Sequence, residues 1–348
     1  MRIVVTGATG NVGTSLLELL GSEPGVDSVL GLARRPPSAS SQPKIDWDGV
    51  DVTTSDLATR FRGADVVIHL AWVIQPSHHV EAMAAINVGG SARVLAAVAE
   101  AKVPALVYAS SVGAYSPGPK DRRVDESWPT EGFPSSFYSR HKAAVERILD
   151  GFETEHPEVR VVRLRKGLVF KREAGERIRA LFLGPLVPVG LLRASLIPVV
   201  PDTPGLAVQA VHTLDAAHAY RLAALQEARG AYNIVADPVL DVAELARLLS
   251  ARPVPLPASA LRAAAELTWR LRLQPTPPGW VDLALGAPLL DASRAHRELG
   301  WAPKISAGDA LLDLLDGLRH GAGLPTPASA PRRQGWSHKL KSAAAARH

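Results

Sequence analysis

A short β-branched run, Arg2-Ile-Val-Val-Thr6, leads straight into three glycines spaced by three, Gly7, Gly10 and Gly13. These open a segment with helical apolar spacing, Ser15-Leu-Leu-Glu-Leu-Leu20,. Strand, glycine turn and helix in that order build a cradle for a dinucleotide. Gly7 permits the tight turn, Gly10 lets the backbone approach a pyrophosphate, and Gly13 lets the helix pack close. The helix N-terminus then offers free N–H groups and the positive end of its dipole to the phosphates. A plain βα turn shares this outline. The strand before it and the helix after it carry the distinction.

The rest of the chain repeats the unit. Buried strands are expected at residues 29–33, 45–47, 65–71, 104–109, 159–164 and 231–235. Helices are expected at 80–102, 138–149, 216–225, 241–249, 260–273 and 307–318, with a capped segment at 289–301 ending at Gly300 and an amphipathic stretch at 55–61. Alternation at these lengths implies right-handed βαβ units and a parallel sheet. The fold class is therefore α/β, a Rossmann-type doubly wound parallel sheet with a smaller C-terminal substrate-binding lobe. The division expected is a dinucleotide-binding domain over 1–165, to which some later segments return, then a lobe over 166–318 and a basic Pro/Ala-rich tail over 319–348. Residues 181–204, rich in Leu, Pro and Gly, suit an apolar lid, and Trp269 and Trp280 are expected to be buried.

Charge and composition remove several classes. There is no cysteine, which excludes disulfides, thiolate metal sites and thiol catalysis,. The formal net charge is +5, yet Arg319, Arg332, Arg333, Lys339, Lys341 and Arg347 alone bring +6 with no acid after Gly317. A body near −1 with a basic tail is not the footprint of a nucleic-acid-binding fold. Nothing before the first strand reads as a signal peptide, and the apolar stretch 181–200 is broken by prolines and Arg193. A cytoplasmic protein with no membrane partner is expected. The adjacent pair His78-His79 finds only Glu81 nearby, too little for a metal site, so none is assigned.

Two further positions bear on cofactor and chemistry. At the end of the second strand a carboxylate would bind the adenosine ribose diol, whereas an arginine accommodates a 2′-phosphate. Ala33 and Arg34 stand there, which favours NADP over NAD. In Tyr138-Ser-Arg-His-Lys142 a tyrosine and a lysine lie one helical turn apart and share a face. A lysine so placed is expected to lower the phenol pKa toward working pH. The strand at 104–109 delivers Ser110-Ser111 at its carboxyl end, where doubly wound sheets bind ligands.

With these pieces in order, the chain resembles the extended short-chain dehydrogenases/reductases of the NAD-dependent epimerase/dehydratase family. The matching segments are Thr6-Gly-Ala-Thr-Gly-Asn-Val-Gly13, Asp51-Val52, His69-Leu-Ala71, Asn87, Ser110-Ser111, Tyr138-x-x-x-Lys142, Val211-His-Thr-Leu-Asp215 and Leu299-Gly-Trp301. The resemblance spans about residues 1–318 and implies a homodimer. It implies Tyr138 as the general acid/base, Lys142 as its partner and a ribose contact, and Ser111 as the donor that holds the reacting oxygen. Cofactor contacts are implied from Gly7, Thr9, Gly10, Asn11, Val12 and Gly13 in the turn. Others are implied from Arg34, Asp51, Val52, Leu70, Ala71, Asn87, Tyr138 and Lys142.

Departures from the family pattern narrow the reading. Val112-Gly113 stands where sugar 4,6-dehydratases carry Asp-Glu, which argues against that elimination. Lys166 stands where a proline is common. The stretch 181–204 offers Arg193 and little else for a diphosphate, so an apolar or modest-sized substrate is favoured over a nucleotide sugar. The expected function is an NAD(P)-dependent oxidoreductase acting on a secondary alcohol or ketone of a small molecule. A nucleotide-sugar epimerase and a non-catalytic NAD(P)-sensing protein are the alternatives.

Overall fold

Seven parallel strands form the centre of the protein, seen here in a computed structural model that describes residues 1–37, 42–74, 80–183, 197–324 and 326. They are β1 (Arg2–Thr6), β2 (Ser28–Ala33), β3 (Ile45–Gly49), β4 (Val66–His69), β5 (Ala105–Ser111), β6 (Arg160–Lys166) and β7 (Gly230–Ile234). Their spatial order is β7-β6-β5-β4-β1-β2-β3, and every pairing is parallel. The order reverses between β1 and β4, so a crevice opens at the carboxyl ends of those two strands. The register sets Thr6 opposite His69 and Ser111 opposite Lys166, which brings the candidate residues to one edge.

Four helices matter for the site: α1 (Asn11–Gly21), α2 (Val80–Glu100), α3 (Phe137–Glu155) and α4 (Thr213–Leu225). Strand alternation sends successive side chains of β1 to opposite faces. Ile3 and Val5 join Leu16, Leu20 and Tyr220 on the α1/α4 side, while Val4 joins Val94, Val98 and Leu149 on the α2/α3 side. By length and composition α2 is apolar enough to cross a bilayer, with mean hydropathy 1.4. Here its apolar face covers the sheet.

The lobe adds a three-stranded sheet, Ala236–Asp241, Ala207–His212 and Leu168–Phe170, and a parallel pair, Val199–Asp202 with Arg252–Pro255. Gly300 closes helix Ser293–Leu299 at φ +61°, and the fully buried Trp301 donates its indole N–H to the Asp215 carbonyl at 2.8 Å. The last helix, Ala307–His320, runs two residues past its expected end and stops at Gly321. Beyond it the chain turns back: Glu176 N donates to Ala322 O at 3.0 Å, and the buried Thr326 hydroxyl donates to Thr9 O at 3.2 Å.

Three expectations need correction. The helix expected over 80–102 contains a π-helical turn, Ala85–Gly89. A Cβ on Gly90 would come within 2.8 Å of Val52 Cγ2, so glycine lets α2 approach the sheet edge there. The stretch 55–61 yields only one helical turn, Ala58–Phe61. Trp269 and Trp280 are half-buried rather than buried, because both sit on lobe helices away from the central core. His78, His79 and Arg193 lie outside the described residues. Among the described residues no cluster of three or more His, Asp or Glu is placed to hold a metal.

Candidate active site

The turn after β1 is built by backbone contact. Gly7 and Ala8 N–H both donate to Leu32 O, at 2.9 and 3.3 Å, which anchors the turn to β2. Gly7 has φ +71°, and a Cβ there would lie 2.6 Å from Ala71 N, so only glycine fits,. A Cβ on Gly13 would lie 2.5 Å from Ala8 O, so the close approach is to the turn itself. Gly10 differs from both. Among the described residues its Cβ would meet only Gly7 O, at 3.1 Å, and as N-cap of α1 it makes no side-chain capping bond. The first-turn N–H groups therefore face a cradle that a side chain would fill, which fits a pyrophosphate. The lobe closes on the same helix end: Lys171 Nζ donates to Asn11 O, Thr14 Oγ1 and Ser15 Oγ at 3.0 to 3.1 Å.

The other residues expected around a cofactor fall along this crevice with different employments. Leu70 and Ala71 lie against Gly7 through their backbones. Asp51 accepts from Thr53 N and Oγ1 at 2.9 and 2.6 Å, bonds that hold its carboxyl below the usual range, with Arg34 adding a smaller pull. Arg34 itself is exposed. Val52 is buried against α2. Asn87 sits in the π-turn with its amide spent on Val73, accepting from N at 2.8 Å and donating to O at 2.9 Å. It therefore holds the segment after β4 in place. His69 is buried between Thr6 Oγ1 (2.7 Å) and Ser91 Oγ (2.9 Å). Burial, then the charge of Lys142, pushes it down to about 3, so it is a neutral strut.

Ser111, Tyr138 and Lys142 converge at the carboxyl edge of β5. The N-terminus of α3 is tied to the loop after β5 by Ser139, whose hydroxyl donates to Gly113 O at 2.5 Å and accepts from Phe133 N at 2.7 Å. A Cβ on Gly113 would stand 2.7 Å from Tyr138 Cε1, so glycine is what lets the phenol ring reach Ser111. The Ser111 hydroxyl accepts from Gly113 N at 3.0 Å and lies near enough to the Tyr138 oxygen to oppose the rise in its pKa.

The expected phenol shift is reversed. Burial pushes Tyr138 up to about 12, and the opposing influence is Ser111, not Lys142. Lys142 is turned elsewhere. Its Nζ donates to Ala109 O at 2.6 Å and Tyr108 Oη at 3.3 Å, and lies 3.4 Å from the centroid of the Trp72 ring. Burial, then the neighbouring Lys166, lowers its pKa, with Glu146 opposing.

Beneath the site lies a charged support that sequence reasoning passed over. Lys166 donates to Ser110 O (2.9 Å) and Tyr220 Oη (2.7 Å), and burial lowers it to about 7. With Lys142 on the preceding carbonyl, it brackets the end of β5. Glu146, fully buried in α3, accepts from Arg163 Nη1 (3.0 Å), Arg165 Nη2 (2.9 Å) and Ser110 Oγ (2.5 Å). Burial alone would raise its pKa, but the two arginines prevail and hold it at about 2.

An aromatic wall stands over Tyr138, and its members were likewise not singled out by the motifs. Trp280 lies 4.9 Å from the Tyr138 ring at 30°, Trp72 lies 6.2 Å away edge-on, and Phe182 meets Trp280 edge-on at 5.1 Å. The signal for Trp72 was its place directly after His69-Leu-Ala71. The signal for Trp280 was the Pro277-Pro278-Gly279 start of its helix. Gly279 is needed there, since a Cβ would lie 2.2 Å from Ser135 O.

A sequence model of the NAD dependent epimerase/dehydratase family matches residues 3–234. An uncharacterised protein of Mycobacterium tuberculosis is 28% identical over 328 residues, 93% of this chain and 31% of its own length. The chain thus spans about a third of the first curated relatives it matches. A second uncharacterised M. tuberculosis protein is 26% identical over 347 residues, covering 95% of this chain and 86% of its own. Among solved structures, the UDP-glucose 4-epimerase of Thermotoga maritima with UDP-glucose superposes with a TM-score of 0.68 at 20% identity. It covers 92% of this chain and 99% of that one. A dTDP-glucose 4,6-dehydratase of Streptomyces venezuelae with NAD bound gives 0.66 at 20% identity, covering 92% and 97%.

Proposed function

Because the chain belongs to the NAD dependent epimerase/dehydratase family, we propose that it is an NAD(P)-dependent oxidoreductase acting at a secondary alcohol or ketone of a small molecule. The observation that carries this reading is the meeting of Ser111, Tyr138 and Lys142 at the sheet edge that also holds the uncapped glycine turn. Bound in that crevice, the nicotinamide would accept or donate the hydride. The chain's own residues handle the oxygen. The Ser111 hydroxyl orients it, and the Tyr138 oxygen gives up or takes the proton. With its pKa near 12, Tyr138 is protonated at neutral pH and is set to donate, which favours carbonyl reduction,. Alcohol oxidation should accelerate as pH rises.

NADP is the favoured cofactor. Arg34 projects at the end of β2, close enough to influence Asp51 and the half-buried Arg177, whose guanidinium burial also lowers. Two arginines facing one region suit a 2′-phosphate. A nucleotide-sugar epimerase is the second reading, favoured by the UDP-glucose in the Thermotoga maritima structure. Val112-Gly113 gives no support to a 4,6-dehydratase. Replacing Tyr138 with Phe tests the proposal. The chemical step should fall by roughly 10²–10⁴-fold while cofactor affinity stays nearly unchanged. Full turnover by Tyr138→Phe would refute the role given to Tyr138.

A further inference from the structure

We infer that the substrate side of this site is built for a flat unsaturated ring carrying the reacting oxygen and a second oxygen acceptor, an aryl ketone or aryl carbinol rather than a sugar. The inference rests on the oxidoreductase reading and names its substrate class. The proposed acid/base, Tyr138, has indoles as neighbours: Trp280 tilted 30° against its ring at 4.9 Å and Trp72 edge-on at 6.2 Å. Phe182 extends the wall beyond Trp280, and Thr276 Oγ1 fixes the Phe182 carbonyl at 3.0 Å. Rings in this mixture of tilted and edge-on arrangements present both faces and edges, and a planar ring can meet either with favourable quadrupole geometry.

Polar supply decides between a ring and a sugar. A pyranose also stacks on indole, but its several hydroxyls each need a partner once desolvated. Among the described residues of the site, Ser111 accepts from Gly113 N and keeps its own proton for the one reacting oxygen, while Lys142 is committed to Ala109 O with its charge over the Trp72 face. Two further donors are uncommitted among the described residues of the site. The indole N–H groups of Trp72 and Trp280 are buried and have no hydrogen-bond partner. Two donors suit one or two carbonyl or ether oxygens and leave a polyol unsatisfied.

The test uses the full-length protein and two probes, 6-hydroxy-1-tetralone and UDP-glucose, each titrated by calorimetry with NADP present and absent. The tetralone should bind and UDP-glucose should not. Trp280→Leu and Trp72→Leu should each weaken tetralone binding by about tenfold, the scale of one lost ring contact with its buried area. Trp280→Phe should keep most of it, which guards against a folding defect in the leucine variant, and NADP affinity should be unchanged in Trp280→Leu. UDP-glucose binding without tetralone binding would overturn the inference and leave the oxidoreductase reading standing. So would tetralone affinity indifferent to both tryptophans. Failure of NADP and NAD to bind would overturn the oxidoreductase reading itself. Tetralone binding to the cofactor-free protein, lost in Trp280→Leu, would then still support the ring-shaped site.

Discussion

The two sides of the crevice are made of different material. On the cofactor side, Gly7, Gly10 and Gly13 stand within seven residues and bring backbone against backbone, at Ala71 and within the turn itself, and side chains contribute mostly by their absence. On the substrate side, Trp72, Tyr138, Phe182 and Trp280 come from parts of the chain some 200 residues apart and meet through side chains. A backbone site is dictated locally, since φ and the room for a Cβ are set by a few neighbours. A side-chain wall is dictated by tertiary packing. The glycine turn should therefore fail abruptly on substitution, while the aromatic wall should lose function in steps.

The largest expected effect comes from the support that holds the substrate side together. Glu146→Gln leaves the buried Arg165 without its carboxylate and Arg163 with only Asp150 and Glu153, and should cost about 3–5 kcal/mol of stability in denaturant unfolding,. The folded-state pKa of Glu146 lies below its ordinary value of 4.5. Its contribution is thus complete above about 4.5 and is lost as pH falls toward about 2,. Wild-type stability should decline through that window, and Glu146→Gln should flatten the decline. An unchanged acid limb would mean that α3 is held by packing alone.

Gly7→Ala comes next, on the cofactor side. It forces a Cβ to 2.6 Å from Ala71 N at φ +71°, and should cost about 2 kcal/mol or more,. A melting temperature equal to wild type would break the contrast between the two sides, because the turn would then tolerate side chains as the wall does.

The smallest effect sharpens the cofactor side. Arg34→Ala should remove a preference for NADP over NAD of roughly tenfold, about 1.4 kcal/mol, read from the two dissociation constants. Equal affinities in the wild type would assign Arg34 to solvent.

The same contrast explains what could be read before any coordinates. The parallel sheet and the binding crevice at its carboxyl ends followed from the βαβ alternation, and β2 and β5 end within a residue or two of where the pattern put them. Ser111, Tyr138 and Lys142 were marked by motif, and they do gather at one edge. Their electrostatics were not legible. A one-turn spacing on α3 places Tyr138 and Lys142 on a common face, yet it does not reveal that Ala109 O and the Trp72 ring capture the ammonium. Asn87 was marked for cofactor contact, but its amide is used on Val73, a partner 14 residues back that no pattern announces. Lys166 stood out only as a lysine where the family commonly has a proline. Its burial under Ser110 depends on Tyr220, which arrives from α4.

The account turns on Gly10 facing a bound dinucleotide, and one titration addresses it: NADPH fluorescence against wild type and Gly10→Val, with circular dichroism as the check on folding. Among the described residues Gly10 has only Gly7 O near its missing Cβ, so the fold should survive. Wild type should bind saturably at one site per chain, and Gly10→Val should show no binding while keeping its native spectrum. Equal binding by a folded Gly10→Val, or none by wild type with either NADPH or NADH, would contradict the account.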